Sequence, residues 1–203
     1  MKTLLKSVVI VAGFALAASV SAAGDVEAGK SSSAICAACH GADGNSAVPN
    51  FPKLAGQGPQ YLLKQLKDIK AGNRAVVEMT GMLAGFSDQD LENLAAYFSS
   101  QTSTGGQAKK DLVEAGEALY RGGNPATKIA ACTACHGPSG KGIELAAFPA
   151  LSGKHADYIA TQLKKFRSGD RANDGDTRMM RSVAALLSDK EIEAVASYIS
   201  GLN

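Results

Sequence analysis

The chain contains one unit written twice, and each copy carries a pentapeptide of unusual chemical specificity. Cys36-Ala-Ala-Cys39-His40 returns as Cys132-Thr-Ala-Cys135-His136. The copies stay in step downstream: Phe51-Pro-Lys-Leu-Ala-Gly56 matches Phe148-Pro-Ala-Leu-Ser-Gly153, and Tyr61-Leu-Leu-Lys-Gln-Leu66 matches Tyr158-Ile-Ala-Thr-Gln-Leu163. Gly72-Asn-Arg74 matches Gly169-Asp-Arg171, and Ser87-Asp-Gln-Asp-Leu91 matches Ser188-Asp-Lys-Glu-Ile192. A solenoid needs at least three repeats to bury a continuous core, so two copies indicate a tandem pair of domains. The expected boundaries are 23–101 and 111–203. The Ser, Thr, Gly and Lys-rich stretch 102–110 between them reads as a flexible linker.

Each copy is helical in pattern. Asp25 and Asp111 precede short periodic stretches, as N-terminal caps do. Ser87 with Asp90, and Ser188 with Glu191, resemble capping boxes. Leu91, Leu94, Ala95 and Phe98 then form one apolar face, as do Ile192, Val195, Ala196 and Ile199. No alternating run marks a strand, so the expected fold is all-α: two small helical bundles. With no Trp and only 5% aromatic residues, cores of this size are thin, and a flat apolar prosthetic group would complete them.

The pentapeptide names that group. Two thiols three residues apart add to two vinyl groups of a haem, and the next residue sets an imidazole under the iron. A disulfide framework or a four-thiolate zinc site leaves the trailing His unexplained in both copies, and a thioredoxin-like pair expects a strand–helix setting. Cys36, Cys39, Cys132 and Cys135 are therefore read as attachment points for two haem c groups, with His40 and His136 as axial ligands. His155 has Gly58 as its repeat counterpart and reads as a surface histidine. The remaining candidate ligands are methionines, and beyond the leader these are Met79, Met82, Met179 and Met180. Met79 lies eight residues before Ser87, and Met180 lies eight before Ser188. Met82 instead aligns with Val183, and Met179 with Glu78. The repeat thus selects Met79 and Met180. His/Met ligation saturates the iron and suits electron transfer.

Two features keep two readings each. Pro52 and Pro149 offer carbonyls that could accept the second imidazole N–H, or they shape a turn. Gly29 with Tyr97, and Gly116 with Tyr198, mark either a close helix crossing or a helix end.

The N-terminus has Lys2 and Lys6, an apolar run over 8–18, and small residues to Ala23. That order is a secretory signal peptide over 1–22 cut after Ala22. The alternative, an uncleaved anchor, fits less well, because the run is short of the about 20 apolar residues of a spanning helix. Removing 1–22 takes away two lysines and no acid, leaving 19 basic against 19 acidic side chains. That balance gives no basis for binding nucleic acid.

With these residues in place, the chain resembles class I cytochromes c and, as a tandem pair, the cytochrome c4 family. The likeness includes Asn50-Phe-Pro-Lys-Leu-Ala-Gly-Gln57, Met79-Thr-Gly-Met82, Ala95-Ala-Tyr-Phe98 and Asn173-Asp-Gly-Asp176. It implies a periplasmic monomer whose domains face each other with the haem propionates near the interface. The same resemblance implies transfer of electrons from a cytochrome bc complex toward a terminal haem–copper oxidase, with peripheral membrane association. A dehydrogenase's electron-accepting subunit and a dihaem enzyme such as a peroxidase are the competing classes. An enzyme needs an open axial position, and a Met in both copies argues against one.

The repeat alignment makes a direct prediction. Met79→Ala and Met180→Ala should each abolish the Met-to-iron charge-transfer band at one haem and lower that haem's potential. Met82→Ala and Met179→Ala should leave both bands in place.

Overall fold

A computed structural model describes residues 24–202. The signal peptide and its cleavage site after Ala22 lie outside the described residues. Among those described there is no strand, only isolated bridges between Asn124 and Ile129 and between Ile143 and Phe148. The fold is all-α, as the pattern required.

The first copy runs α1 (Val26–Ser32), α2 (Ala37–His40), α3 (Pro59–Lys70) and α4 (Asp88–Ser100). The second runs α5 (Val113–Gly122), α6 (Thr133–His136), α7 (Ala156–Ser168), α8 (Met179–Ala184) and α9 (Asp189–Gly201). Local chemistry sets the starts of three of these helices. The Asp25 side chain caps α1 by accepting the Ala28 N–H at 2.9 Å. Both capping boxes form: Ser87 N–H donates to the Asp90 carboxylate at 2.8 Å, and Ser188 N–H to the Glu191 carboxylate at 2.8 Å. Asp111 does not cap. A 3-10 turn over Lys110–Leu112 leads into α5 and makes Leu112 the boundary residue, so the Asp111 carboxylate lies inside the turn.

The last helix of each copy is the spine. α1 and α3 pack on α4; α5 and α7 pack on α9. Leu91 and Leu94 of α4, and Ile192 and Val195 of α9, are essentially fully buried. Both spine crossings are closed by a missing side chain. A Cβ on Gly29 would sit 2.0 Å from the Asn93 carbonyl oxygen and 2.8 Å from Tyr97 Cβ. On Gly116 it would sit 2.3 Å from the Ala194 carbonyl oxygen and 2.6 Å from Tyr198 Cβ. These glycines let two backbones touch, which decides for the close crossing over the helix end.

The two tyrosines nevertheless diverge. The Tyr97 hydroxyl donates to the Ala42 carbonyl at 2.8 Å, just past the first Cys-x-x-Cys-His turn. In the second domain that task passes to Tyr120 of α5, whose hydroxyl donates to the Gly137 carbonyl at 2.7 Å. Tyr198 faces Glu117 instead, at 3.4 Å.

The connecting segment is tied down rather than free. Asn45 accepts the Thr104 N–H at 2.8 Å and donates to the Thr102 carbonyl at 3.0 Å. Lys53 Nζ donates to the carbonyls of Thr104 and Gly105 at 2.9 and 3.0 Å. On the other domain, Ser197 accepts the Lys109 N–H at 2.9 Å. A composition that predicts flexibility is here ordered by side chains far away in sequence.

Gly29→Ala and Gly116→Ala should each destabilise the domain that holds the glycine by about 1–3 kcal/mol, because the new methyl meets backbone and not a movable side chain. Thermal unfolding followed at the two haem bands checks this. Gly58→Ala, with open space around its Cβ position, is the control.

Candidate functional site

Each Cys-x-x-Cys-His sequence ends in a short helix, α2 or α6, whose last residue is the histidine. The glycine that follows takes a positive φ, 79° at Gly41 and 77° at Gly137, which ends the helix and turns the chain away. The imidazole is thereby left inside: His40 and His136 are only 8% and 7% exposed.

Both histidines are held from behind. His40 Nδ1 lies 3.0 Å from the Pro52 carbonyl oxygen, and His136 Nδ1 lies 3.0 Å from the Pro149 carbonyl oxygen. A carbonyl can only accept, so each Nδ1 carries the proton and Nε2 presents its lone pair. Burial lowers the pKa of both imidazoles, against an upward pull from the proline carbonyls, which favours the neutral ring a metal requires. Phe51 and Phe148 stand beside the rings at 6.3 and 6.4 Å between centroids. The proline carbonyls thus act on the histidines.

The thiols suit thioether attachment. None of the four is in a disulfide. Cys36 and Cys132 pack against the two apolar cores, and burial raises both thiols, Cys132 to about 11. Among the described residues no group of three or more His, Cys, Asp or Glu is placed to hold a metal ion, so the four-thiolate zinc arrangement does not arise.

The methionines separate by environment. Met79 ends a 3-10 turn (Val77–Met79) and packs against the first core. Met180 lies in the first turn of α8 and is half-buried. Met82 and Met179 are 37% and 44% exposed.

The cytochrome c family model matches residues 26–102 and again 113–203. Cytochrome c4 of Pseudomonas aeruginosa is 57% identical over 203 residues, all of both chains. Cytochrome c4 of Azotobacter vinelandii is 61% identical over 90% of this chain and 91% of its own. The chain belongs to the cytochrome c4 family. The crystal structure of reduced recombinant cytochrome c4 from Pseudomonas stutzeri superposes with a TM-score of 0.88 at 59% identity, covering 89% of this chain and all of that one. As a cytochrome c4, the chain is a dihaem electron carrier and not an enzyme, and two covalent haem c groups belong to its two domains.

What joins the two halves of this cytochrome c4 was present in the repeat but not interpretable from it. Tyr61, Gln65 and Arg74 recur as Tyr158, Gln162 and Arg171, and the copies exchange partners across the domain seam. Arg74 donates to its own Gln65 at 2.9 Å, and across the seam to the Tyr158 hydroxyl at 2.9 Å and Gln162 at 3.2 Å. Arg171 donates to its own Gln162 at 2.8 Å, and across to the Tyr61 hydroxyl and Gln65, both at 3.0 Å. The Gln57 amide pairs with both backbone groups of Ala150, at 2.8 and 2.9 Å. His155 is not a free surface residue: its Nε2 lies 2.7 Å from the Ser46 carbonyl oxygen on the other domain. The available signal was a polar side chain repeated at positions that a lone domain would leave in water.

Replacing Arg74 or Arg171 by Met should each cost about 1–3 kcal/mol, since buried amide and phenol oxygens lose donors. Gln65 and Gln162 each accept from both arginines, so each keeps one of these donors in a single variant and loses both only in the double, which should therefore lose more than the sum, by more than about 0.5 kcal/mol. Denaturant unfolding of the four proteins gives the cycle. Strict additivity would show that the two arginines do not form one cluster.

Proposed function

We propose that this cytochrome c4 is exported to the periplasm, loses residues 1–22, and carries electrons as a monomer between a cytochrome bc complex and a terminal haem–copper oxidase. In this reading Cys36, Cys39, Cys132 and Cys135 form the thioethers. His40 with Met79, and His136 with Met180, would ligate the two irons. A haem c iron supplies reversible one-electron transfer when bound.

The observation that carries the reading is the paired geometry of the histidines, each buried and bonded through Nδ1 to a proline carbonyl. A histidine fixed on its far side would stay oriented toward a bound haem iron. The methionine assignment draws support from burial: Met79 packs against the first core and Met180 is half-buried, whereas Met82 and Met179 are exposed. A thioether is neutral and soft, so it stabilises the reduced iron. No helix of the described residues is long and apolar enough to cross a membrane, and contact with one is therefore proposed as peripheral.

Two measurements test this. The ferrous holoprotein should resist carbon monoxide at neutral pH, because both sixth positions are taken; prompt binding at one haem would point to an enzyme-like open site. Stopped-flow mixing with membranes containing the haem–copper oxidase should oxidise both haems rapidly. Failure to react there, with rapid reduction by a periplasmic dehydrogenase, would move the carrier to a different chain.

A further inference from the structure

We propose that Asp174 is a positioning residue for the Met180 sulfur, acting through Arg181 on the ligand loop of the second domain alone. The inference rests on the reading of Met180 as an axial ligand.

The Asp174 side chain is 6% exposed and faces Arg181, itself 19% exposed. One carboxylate oxygen accepts the Arg181 Nε–H at 2.6 Å, and the other accepts the Arg181 backbone N–H at 2.9 Å. Arg181 Nη2 then donates to the Gly175 carbonyl at 3.0 Å. These bonds close a loop from 174 to 181, and Met180 is the residue immediately before the clamped amide.

The loop needs a clamp. Helix α8 starts at Met179, and its boundary residue Arg178 makes no side-chain cap. Arg178 also takes a left-handed conformation, φ 50° and ψ 35°, which disfavours a branched or long side chain at that position. Asp174 supplies from four residues upstream the acceptor that the first turn of α8 lacks locally. Its own footing is on the first domain: the neighbouring Asn173 donates to Gln65 at 2.9 Å and to Asp68 at 2.6 Å, and Lys64 donates to the Asn173 carbonyl at 2.8 Å.

The first domain is built differently. Thr80 stands at the repeat position of Arg181, and Met79 sits in a 3-10 turn after a shorter loop. A threonine cannot make the two-point pair. The clamp therefore predicts a defect at the second domain's haem and none at the first, at temperatures where the variant remains fully folded.

The test titrates imidazole into the ferric holoprotein and follows the methionine charge-transfer band and the shifted methionine methyl resonances at each haem. Asp174→Ala should bind imidazole about tenfold more tightly or better at one haem, with the other haem unchanged, given that two charge-assisted bonds are removed. Asp174→Asn, which keeps an oxygen for the Arg181 N–H, should fall between, and so should Arg181→Ala, which loses the side-chain bonds but keeps the backbone N–H bond to Asp174. Imidazole affinities within twofold of the parent at both haems would overturn the clamp, as would equal loosening of both. Met180→Ala separates the underlying reading: if it leaves both methionine bands intact, the ligand assignment fails and the clamp falls with it. If it removes one band while Asp174→Ala changes nothing, only the clamp fails.

Discussion

The hydrogen bond from each buried imidazole to a proline carbonyl is the interaction on which the rest depends. It fixes the tautomer, and with it the direction of the one lone pair available for iron. The bond spans 12 residues in the first domain and 13 in the second, so it also locks the loop after each Cys-x-x-Cys-His turn. A cofactor anchored from that turn would meet an imidazole that is already oriented. Thin apolar cores follow from the same arrangement, because side chains need not fill the space a porphyrin takes.

The two domains answer similar constraints with different residues. Both spine crossings depend on a glycine and a tyrosine. Yet the hydroxyl that secures the loop behind the histidine comes from α4 in one domain and α5 in the other. The methionine loops diverge further, with a 3-10 turn on one side and a clamped helix start on the other. Such divergence gives the two haem-motif domains different local surroundings.

The seam between domains is polar and reciprocal. Two arginines, each under 10% exposed, reach amide and phenol oxygens on both domains. A guanidinium offers five donors in a fixed plane, so one side chain can serve its own domain and its neighbour together. Lys154 is buried there too, donating to the Ala55 carbonyl at 2.9 Å, and burial with Lys53 nearby lowers its pKa to about 8. Charges placed this way fix orientation more than they add stability, because each is desolvated to make its bonds.

Sequence alone determined the doubling, the helical class and the covalent chemistry, because each is written in local spacing. Thiol spacing is set by the vinyl groups, and capping boxes act within one turn. The caps at Ser87 and Ser188 were legible for that reason; Asp111 was not, since a 3-10 turn at Lys110–Leu112 moved the helix start. Only the tertiary structure decided which proline group meets the histidine and which glycine reading is right. It also decided where Arg74, Arg171 and His155 point, and that residues 102–110 are held. The proline carbonyls lie 12 and 13 positions from their histidines, and the other outcomes depend on partners 51 to 110 positions away. A hydrogen bond to a distant carbonyl leaves no periodicity in the chain, so it becomes visible only when the fold brings the two together.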